Sequence, residues 1–433
     1  MITIEELYSL YVKHPQISTD SRSILPGSLF FALKGPSFDG NSFAEQALVM
    51  GAAYAVVDNP AFQINERCLL VEDSLLALQQ LANHHRHNLK IPVLAITGSN
   101  GKTTTKELVR AVLSKRYKTL ATKGNLNNHI GIPLTLLSIT DEIEFAVIEM
   151  GANHRQEIEM YCKIAEPHYG LITNVGKAHL EGFGGFQGVK QGKGELYAWI
   201  ASHAKTIFLN GDNPHLVEMA KENKVQYVVL YGTQEHYDCH GDLVTDSPVL
   251  EVKWKQGDAS GHIQSQMIGA YNFENILSAV CIGNYFGVQA GDIDDAIAAY
   301  VPDNSRSQVV KKGSNTVILD AYNANPTSME AALRNFAALP STHKVICIGD
   351  MAELGEESDS EHGRIVEMLK SIPAEQVILV GKNFGIYSGQ IKCVHFETSE
   401  SAAAWVKEHP FSNKKILIKG SRSTRMEKIL ESI

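Results

Sequence analysis

Residues 93–107 constrain the fold of this chain more than any other stretch. An apolar, β-branched run at 93–97 ends at Gly98, and a segment with helical periodicity begins near Lys102. The pattern predicts a buried strand, a tight loop and the N-terminus of a helix. The unpaired N–H groups and partial positive charge of such a helix start bind polyphosphate. Gly98 and Gly101 would let the main chain approach the phosphates closely.

Lys102 and Thr103 supply the polar side chains of this loop. Lys102 offers a positive charge to the β- and γ-phosphate oxygens, and the Thr103 hydroxyl can ligate Mg²⁺. The loop is a short variant of the common pattern G-x-x-x-x-G-K-[ST], because Ile96 stands where the first glycine should be. A glycine-rich turn without a ligand is the alternative interpretation.

Length and charge bound the class of protein. A chain of 433 residues is too long for one ordinary core, so two or three domains are expected. The net charge of −9 argues against a general nucleic-acid-binding or acidic-membrane-binding surface, although a local basic pocket remains compatible with it. The expected substrate is therefore a small anion and not a polymer.

Cysteine usage and apolar runs indicate the compartment. The six cysteines are scattered without C-x-x-C spacing, which disfavours a zinc site and a disulfide framework. The N-terminus has no cationic segment followed by an apolar core, and no run of about 18 apolar residues occurs. We expect a cytoplasmic protein without membrane insertion.

Alternating strand-like and helix-like segments divide the chain into three parts. Residues 1–88 contain short segments of both kinds. Residues 89–302 predict a parallel sheet with right-handed crossovers and an added antiparallel edge near 249–267. Residues 303–433 repeat strand and helix as a doubly wound domain without a phosphate loop of its own, suited to act as a mobile lid.

Two helix ends carry further predictions. The helix predicted for residues 74–87 ends in Asn-His-His-Arg-His, where only His84 and His87 have a spacing that places metal ligands on one face. A solvated helix end is therefore preferred to a metal site. Residues 423–433 are predicted to form one helix.

Polar residues follow several predicted strands, and in an open α/β sheet chemistry gathers at these carboxyl ends. Glu149 closes an apolar strand and offers a hard oxygen ligand for Mg²⁺. His179 follows another strand as a candidate metal ligand, with a structural histidine as the equal alternative. Lys190 and Lys193 lie in a lysine-rich stretch that opens a predicted helix, where lysines are normally solvated.

Other polar groups have two interpretations each. Asn127 and Asn128 belong to an amide-rich loop that either contacts a polar ligand or forms a turn. The hydroxyls, arginine and glycines at 18–40 suit a phosphorylated sugar or nucleotide, or ordinary turns. Asn272 and Asn275 either cap a helix or contact an adenine edge. Polar residues also end strands in the last part of the chain: Asp320, Asp350 and Lys419.

Six segments, taken together and in this order, resemble the Mur ligase family. They are Thr-Asp-Ser-Arg (19–22), Thr-Gly-Ser-Asn-Gly-Lys-Thr (97–103), Gly-Asn-Leu-Asn-Asn-His-Ile-Gly (124–131), Glu-Met-Gly-Ala-Asn-His (149–154), Ile-Thr-Asn-Val-Gly-Lys-Ala-His-Leu-Glu (172–181) and Tyr-Asn-Ala-Asn-Pro (322–326). The resemblance covers nearly the whole chain and is greatest to the members that add D-alanyl-D-alanine to UDP-N-acetylmuramoyl-tripeptide.

The resemblance implies a fold and a reaction. The fold is α/β with three domains: a small α/β UDP-binding domain at 1–88, a central parallel-sheet P-loop ATPase domain at 89–302 and a C-terminal Rossmann-like domain at 303–433. The reaction is ATP-dependent amide-bond formation with Mg²⁺. ATP phosphorylates the terminal carboxylate of the tripeptide, and the amine of D-alanyl-D-alanine attacks the acyl phosphate.

The resemblance also implies roles for individual residues. The catalytic residues are Lys102, Glu149, His179 and Lys193. The nucleotide-binding residues are Gly98, Ser99, Asn100, Gly101, Lys102, Thr103, Thr104, Asn275, Arg306 and Asp320. The Mg²⁺ ligands are Thr103, Glu149, His179 and Lys193. The residues that face the UDP-sugar, its peptide or the dipeptide are Ser21, Arg22, Lys34, Asp39, Gly40, Asn127, Asn128, Asn323, Asn325 and Arg422.

Three positions leave alternatives open. Lys193 falls where the family has a lysine carbamylated by CO₂; an unmodified surface lysine is the alternative, and nearby Lys190 leaves the alignment open. The sequence departs from the family pattern around Arg306, in the segment 304–307, and around Asp320, in Leu-Asp-Ala-Tyr. The partners of those two residues are therefore open.

Other activities fit parts of the sequence. Another Mur ligase that adds a single residue such as a diamino acid is the nearest alternative, but the Tyr-Asn-Ala-Asn-Pro and C-terminal Gly-Ser-Arg-Ser segments favour dipeptide addition. Folate polyglutamylation shares the central architecture but has no place for residues 1–88. A nucleotide-binding scaffold without catalysis is disfavoured by Lys102, Thr103, Glu149 and His179 together. A monomer without nucleic-acid partners is expected.

Overall fold

The computed structural model describes residues 1–303 and 305–433. Asn304, which belongs to the departure from the Mur ligase pattern at 304–307, lies outside the described residues. In the described part of the chain, the strands form a four-stranded, a nine-stranded and a six-stranded sheet together with a two-stranded hairpin. We call the three large sheets the first, central and last sheets.

The first sheet is parallel and lies near the N-terminus. Its strands are β1 (Ile17–Ser18), β2 (Leu29–Phe31), β5 (Tyr54–Val57) and β6 (Cys68–Leu70), and the hairpin consists of β3 (Lys34–Gly35) and β4 (Phe38–Asp39). The strand order is β1-β2-β5-β6. The helices of this part are α1 (Ile4–Lys13), α2 (Ala44–Val49) and α3 (Ser74–Asn88).

The central sheet carries the phosphate loop. Its strands are β7 (Val93–Thr97), β8 (Thr119–Ala121), β9 (Phe145–Glu149), β10 (Tyr169–Ile172), β11 (Thr206–Asn210), β12 (Tyr227–Gly232), β13 (Cys239–Thr245), β14 (Glu251–Gln256) and β15 (Ala259–Gln264). The strand order is β15-β14-β13-β12-β11-β10-β7-β9-β8, and among the described pairs of this sheet only β13–β14 and β14–β15 are antiparallel. These strands form the antiparallel edge predicted near 249–267.

Helices cover the central sheet. They are α4 (Lys102–Leu113), α5 (Gly131–Leu137), α6 (Glu157–Ala165), α7 (Leu180–Phe183), α8 (Phe186–Ser202), α9 (Pro214–Glu222), α10 (Asn272–Tyr285) and α11 (Ala290–Ala298). Every residue of β7 and β9 is buried. Burial on both faces explains why these strands read as continuous apolar runs and not as alternating ones.

The last sheet is doubly wound. Its strands are β16 (Gln308–Lys312), β17 (Asn315–Asp320), β18 (Lys344–Gly349), β19 (Gln376–Val380), β20 (Val394–Phe396) and β21 (Lys415–Lys419), in the order β16-β17-β21-β18-β19-β20. Its helices are α12 (Pro326–Ala338), α13 (Ser358–Lys370), α14 (Lys382–Gly385), α15 (Ser399–Glu408) and α16 (Glu427–Leu430). Among the described residues, no helix is both long and apolar enough to cross a membrane.

The helix predicted for residues 423–433 is wrong as one element. A 3₁₀ turn at Arg422–Thr424 comes first, and Arg425 then adopts a left-handed backbone conformation with φ of 49°. Because a left-handed residue cannot continue a right-handed helix, α16 begins only after it and is short.

The solvated end predicted for the helix at 74–87 is correct only in part, because His87 and Asn88 are exposed whereas His85 and Arg86 are buried. Arg86 is 4% exposed, and its guanidinium donates to the carbonyl oxygens of Ala165 at 2.8 Å and Glu166 at 3.0 Å. His85 contacts the carbonyl oxygen of Ile139 at 2.9 Å. These histidine and arginine side chains therefore bind α3 to the helices of the central sheet.

Candidate active site

A cleft of about 540 Å³ lies between the phosphate loop, the carboxyl ends of the central strands and the last sheet. Most of the residues predicted to bind nucleotide, metal or peptide line it: Ser99, Asn100, Gly101, Lys102, Thr104, Asn127, Asn128, Glu149, His179, Asn275, Arg306, Asp320, Asn323 and Asn325. The residues come from widely separated parts of the chain, and the packing of the central and last sheets brings them together.

The two glycines of the phosphate loop have little free space and unusual backbone angles. Gly98 has φ of +145°, and a Cβ atom there would lie 2.0 Å from Thr173 Oγ1. Gly101 has φ of +79°, and a Cβ atom would lie 2.6 Å from the Oδ1 atom of Asn275. No side chain of the described residues caps α4 at Gly101. Its first N–H groups are therefore available to an anion.

Lys102 lies folded back on the loop. Its Nζ donates to the carbonyl oxygens of Gly98 at 2.6 Å and Ser99 at 3.3 Å. Burial lowers the pKa of Lys102 to about 8; the Glu149 charge opposes this shift, and the Arg306 charge adds to it. A polyphosphate in the cleft would replace the carbonyl contacts with negative oxygens.

Glu149 and Thr103 form a candidate metal site at the end of β9. Glu149 accepts hydrogen bonds from Thr103 Oγ1 and from the side-chain amide of Asn127, both at 2.8 Å. The hydroxyl and carboxylate are hard oxygen donors, which Mg²⁺ prefers, and Mg²⁺ usually keeps several waters and phosphate oxygens as its other ligands. In the described chain no three His, Cys, Asp or Glu side chains are grouped to hold a metal. This incomplete protein shell suits Mg²⁺ bound together with a nucleotide.

His179 lies at the same end of the sheet, immediately before α7. Its backbone is left-handed, with φ of 54°, and its Nδ1 contacts the carboxylate of Glu353, which belongs to the last domain. His179 also lines the cleft. Sequence analysis predicted His179 but not its contact with Glu353, because the two residues lie in different domains.

The structure separates the two lysines that the sequence left as alternatives. Lys193 is 1% exposed, its Nζ donates to the carbonyl oxygen of cleft residue Ala152 at 3.2 Å, and it lies 5.2 Å from the ring centre of Phe183. Burial and the Lys102 charge hold the pKa of Lys193 well below its usual value, against the charges of Glu157 and Glu195. Lys190 instead pairs with Glu218.

Asn275 lies beneath the phosphate loop. Its side chain accepts a hydrogen bond from Thr105 Oγ1 at 3.0 Å and donates to Asn272 at 2.9 Å, while Asn272 donates to the carbonyl oxygen of Ile268 at 2.8 Å. Neither amide caps the start of α10, so the capping alternative is wrong. Asn275, which is hydrogen-bonded to Asn272, instead packs against the phosphate loop at Gly101.

Arg306 and Asp320 face the cleft from the last domain. The Arg306 guanidinium lies 3.8 Å from the ring centre of Tyr322, and its buried Nε has no hydrogen-bond partner among the described residues. Asp320 accepts from the backbone N–H of Ser307 at 3.1 Å and from Lys419 Nζ at 2.6 Å. These contacts identify the partners that the sequence left open. Lys419, which sequence analysis placed at a strand end without a role, and Tyr271, which it did not predict, also line the cleft.

Several predicted substrate contacts lie outside this cleft. Arg22 pairs with Asp20 at 2.8 Å, and Lys34, in β3, pairs with Asp58 at 2.8 Å, both in the first domain. Ser21, Asp39 and Gly40 lie in the same region. Arg422 pairs with Glu427 at 3.4 Å on the surface of the last domain.

An α/β chain in which a phosphate loop, hard oxygen ligands and the guanidinium of Arg306 meet in one cleft defines a nucleotide-dependent phosphate-loop enzyme. Three family models match the chain: "Mur ligase family, catalytic domain" at residues 15–86, "Mur ligase middle domain" at 96–283 and "Mur ligase, glutamate ligase domain" at 305–422. The chain belongs to the Mur ligase family.

Individual relatives agree over nearly the whole length. The chain is 34% identical to UDP-N-acetylmuramoyl-tripeptide--D-alanyl-D-alanine ligase of Escherichia coli (strain K12), over 99% of this chain and 95% of that protein. The crystal structure of MurF from Acinetobacter baumannii has a TM-score of 0.86 at 33% identity, covering 96% of this chain and 92% of that one. MurF ligase from Thermotoga maritima, solved in complex with ADP, has a TM-score of 0.85 at 27% identity, covering 96% of each chain. The predicted family, α/β fold and enzyme class, an ATP-dependent ligase, are confirmed.

Proposed function

We propose that this chain joins D-alanyl-D-alanine to UDP-N-acetylmuramoyl-tripeptide, using ATP and Mg²⁺, in the synthesis of peptidoglycan precursors. The observation that carries the proposal is the convergence of Lys102, Glu149 and Arg306 on one cleft between the central and last domains. The Escherichia coli relative named above carries this activity in its name.

The reaction needs activation of a carboxylate. A carboxylate is a poor electrophile, and transfer of the γ-phosphoryl group of ATP to it creates a leaving group. The amine of D-alanyl-D-alanine then attacks the acyl carbon, the new amide bond forms, the carbon–oxygen bond to phosphate breaks, and ADP and phosphate leave. Positioning and charge neutralisation supply most of the acceleration in such phosphoryl transfers.

The residues of the site have different roles in this reaction. Lys102 and the N–H groups at the start of α4 bind the phosphates, and Arg306 neutralises charge from the opposite wall. Thr103, Glu149 and His179 would hold Mg²⁺, which would offset the negative charge of the phosphates. Asn275 and Asp320 would contact the adenine and the ribose.

Lys193 is proposed to carry a carbamate. Its lowered pKa favours the neutral amine, which can attack CO₂ and so become an oxygen-bearing anion able to ligate a second Mg²⁺. The supporting observation is its burial without a carboxylate within hydrogen-bond distance among the described residues.

The remaining substrate contacts are assigned by domain. Residues 1–88 would bind the UDP-sugar, residues 89–302 the nucleotide, and residues 303–433 would close over them. The residues proposed to contact the UDP-sugar are Ser21, Arg22, Lys34, Asp39 and Gly40. Those proposed to contact the peptide or dipeptide are Asn127, Asn128, Asn323, Asn325 and Arg422.

We also propose the partners, the compartment and the oligomeric state of the enzyme. The substrates are small anions, and the net charge of −9 disfavours binding to nucleic acid. We place the enzyme in the cytoplasm as a monomer. Size-exclusion chromatography with light scattering distinguishes a monomer of 47.5 kDa from a dimer.

A substrate panel tests the proposed function. Phosphate release should require UDP-N-acetylmuramoyl-tripeptide, Mg²⁺-ATP and D-alanyl-D-alanine together. Lys102→Met should abolish it, whereas Lys115→Met, which removes an exposed lysine just after α4, should leave it unchanged. Phosphate release with a single free amino acid, and not with the dipeptide, would replace this assignment with the diamino-acid-adding alternative.

A further inference from the structure

Lys419 is a buried lysine that faces the nucleotide cleft from the end of β21. It is 1% exposed, and its Nζ donates to Asp320 Oδ2 at 2.6 Å and to the carbonyl oxygen of Asn323 at 3.4 Å. A buried ammonium is costly unless it is paired and hydrogen-bonded. Asp320 supplies the required pairing, so the positions of Lys419 and Asp320 are fixed by each other.

Asp320 connects Lys419 to the linker between the central and last domains. Its other oxygen, Oδ1, accepts from the backbone N–H of Ser307 at 3.1 Å. The Ser307 hydroxyl lies 2.7 Å from the Tyr271 hydroxyl, which belongs to the central domain. Burial and the Asp320 charge raise the pKa of Tyr271, so its hydroxyl stays protonated and can donate. Lys419, Asp320, Ser307 and Tyr271 thus form one continuous polar chain.

This chain surrounds a strained segment of backbone. Ser305 and Ser307 both have left-handed conformations, with φ of 56° and 51°. Such angles are uncommon for residues other than glycine and persist only where the surroundings impose them. Arg306, between them, stacks on Tyr322 and leaves its Nε unpartnered among the described residues. The segment therefore needs an external constraint to keep Arg306 aimed into the cleft.

We propose that Lys419 is a positioning residue for nucleotide binding. By fixing the Asp320 carboxylate, Lys419 orients the oxygen atoms that would accept a hydrogen bond from a ribose hydroxyl. Through Asp320 and Ser307, it also holds the backbone that carries Arg306. This inference rests on the proposed nucleotide site. It adds Lys419 as the residue that preorganises the side of the site formed by the last domain. Preorganised groups bind without the cost of ordering them.

The test compares Lys419→Met with Lys344→Met. Lys344 is also a buried lysine of the last sheet, 2% exposed, but it lies at the start of β18, where its Nζ donates to the carbonyl oxygen of Ala337 and not to an acid. Titration calorimetry with Mg²⁺-ADP should show about a 10- to 100-fold loss of affinity for Lys419→Met, the range expected for a lost hydrogen bond to a charged group. Lys344→Met should bind ADP as the wild type does.

Two further measurements separate positioning from general damage. The KM for ATP should rise in Lys419→Met far more than kcat falls, and Lys419→Arg, which keeps the charge and donors, should recover most of the loss. Wild-type protein should also bind 2′-deoxy- or 3′-deoxy-ADP more weakly than ADP, and this discrimination should shrink in Lys419→Met.

A double variant keeps the proposal testable if Lys419→Met does not fold. If Lys419 acts through Asp320, adding Lys419→Met to Asp320→Asn should cost little further affinity, because the partner charge is already gone. Additive losses would overturn the proposal, as would unchanged ADP affinity in folded Lys419→Met. Failure of the wild-type protein to bind Mg²⁺-ADP would instead overturn the proposed nucleotide site itself.

Discussion

The ionisation of Lys102 couples phosphate binding to pH. Burial lowers the pKa of Lys102 to about 8, and only the protonated ammonium attracts phosphate. The favourable form is present below this pKa and is lost above it. We therefore expect kcat/KM for ATP, which reports the free enzyme, to fall as the pH rises through about 8. Lys102→Arg should remove this decline at lower overall activity, because a guanidinium remains charged. A wild-type profile that stays flat to pH 10 would contradict the role.

Lys193 offers a second test at the scale of a residue. Lys193→Ala should lower kcat by about 100-fold or more, since electrostatic groups at a reacting phosphate contribute on that scale, and short carboxylates should partly restore it. Lys190→Ala, which removes a lysine paired with Glu218, is the matched control and should remain active. A carbamate signal in ¹³C NMR with labelled bicarbonate should appear in the wild type and vanish in Lys193→Ala. Its absence from active wild-type protein would refute the carbamate.

Sequence analysis found those individual residues whose roles are indicated by the sequence immediately around them. Lys102 and Thr103 follow a strand and a glycine-rich loop, and Glu149 ends an apolar strand, so periodicity and spacing were enough to predict them. The partners of Asp320 were not predictable in this way. Lys419 is separated from Asp320 by 99 residues and becomes its neighbour only because β17 and β21 pair in the last sheet.

At the scale of helices and strands, too, local sequence signals were sufficient where contacts between distant segments were not involved. Apolar runs predicted β7 and β9 correctly, because burial and local propensity agree there. The solvated end predicted for α3 is correct for His87 and Asn88 but not for Arg86, whose side chain makes a tertiary contact. Arg86 binds carbonyl oxygens at the end of α6, which the sequence cannot show without the packing of the two helices.

Replacing Arg86 should therefore destabilise the contact between α3 and the central domain. Arg86→Met leaves the carbonyl oxygens of Ala165 and Glu166 without their donors, and we expect a loss of about 2–4 kcal/mol in the free energy of unfolding. Urea unfolding monitored by circular dichroism measures it. Arg334→Met, which removes an exposed pair with Glu330, should change stability by less than about 0.5 kcal/mol. Equal effects of the two substitutions would show that the buried contacts contribute nothing specific.

At the scale of the whole molecule, polar side chains connect the last domain to the central domain. Asn325 donates to Asn100 Oδ1 in the phosphate loop at 2.8 Å, and Lys177 N–H donates to Thr327 Oγ1 at 3.1 Å. The Lys177 ammonium also pairs with Glu361 of α13. Sequence analysis predicted a lid, which stays a prediction, but it could not predict these contacts, because they form between polar residues far apart in the chain.

The Lys177–Glu361 pair should set how often the lid is closed. Glu361 keeps a second partner, Arg364 at 2.9 Å, so Lys177→Met removes the connection between domains without leaving a buried acid unpaired. A partly exposed pair contributes about 1 kcal/mol, which corresponds to a roughly fivefold shift toward open forms.

Small-angle X-ray scattering should show a larger radius of gyration for Lys177→Met, and for the wild type at high salt. Lys163→Met, which breaks an exposed pair with Glu159 inside α6, controls for loss of charge. Scattering profiles identical for Lys177→Met and Lys163→Met would mean that the other contacts between the domains are sufficient to hold the lid.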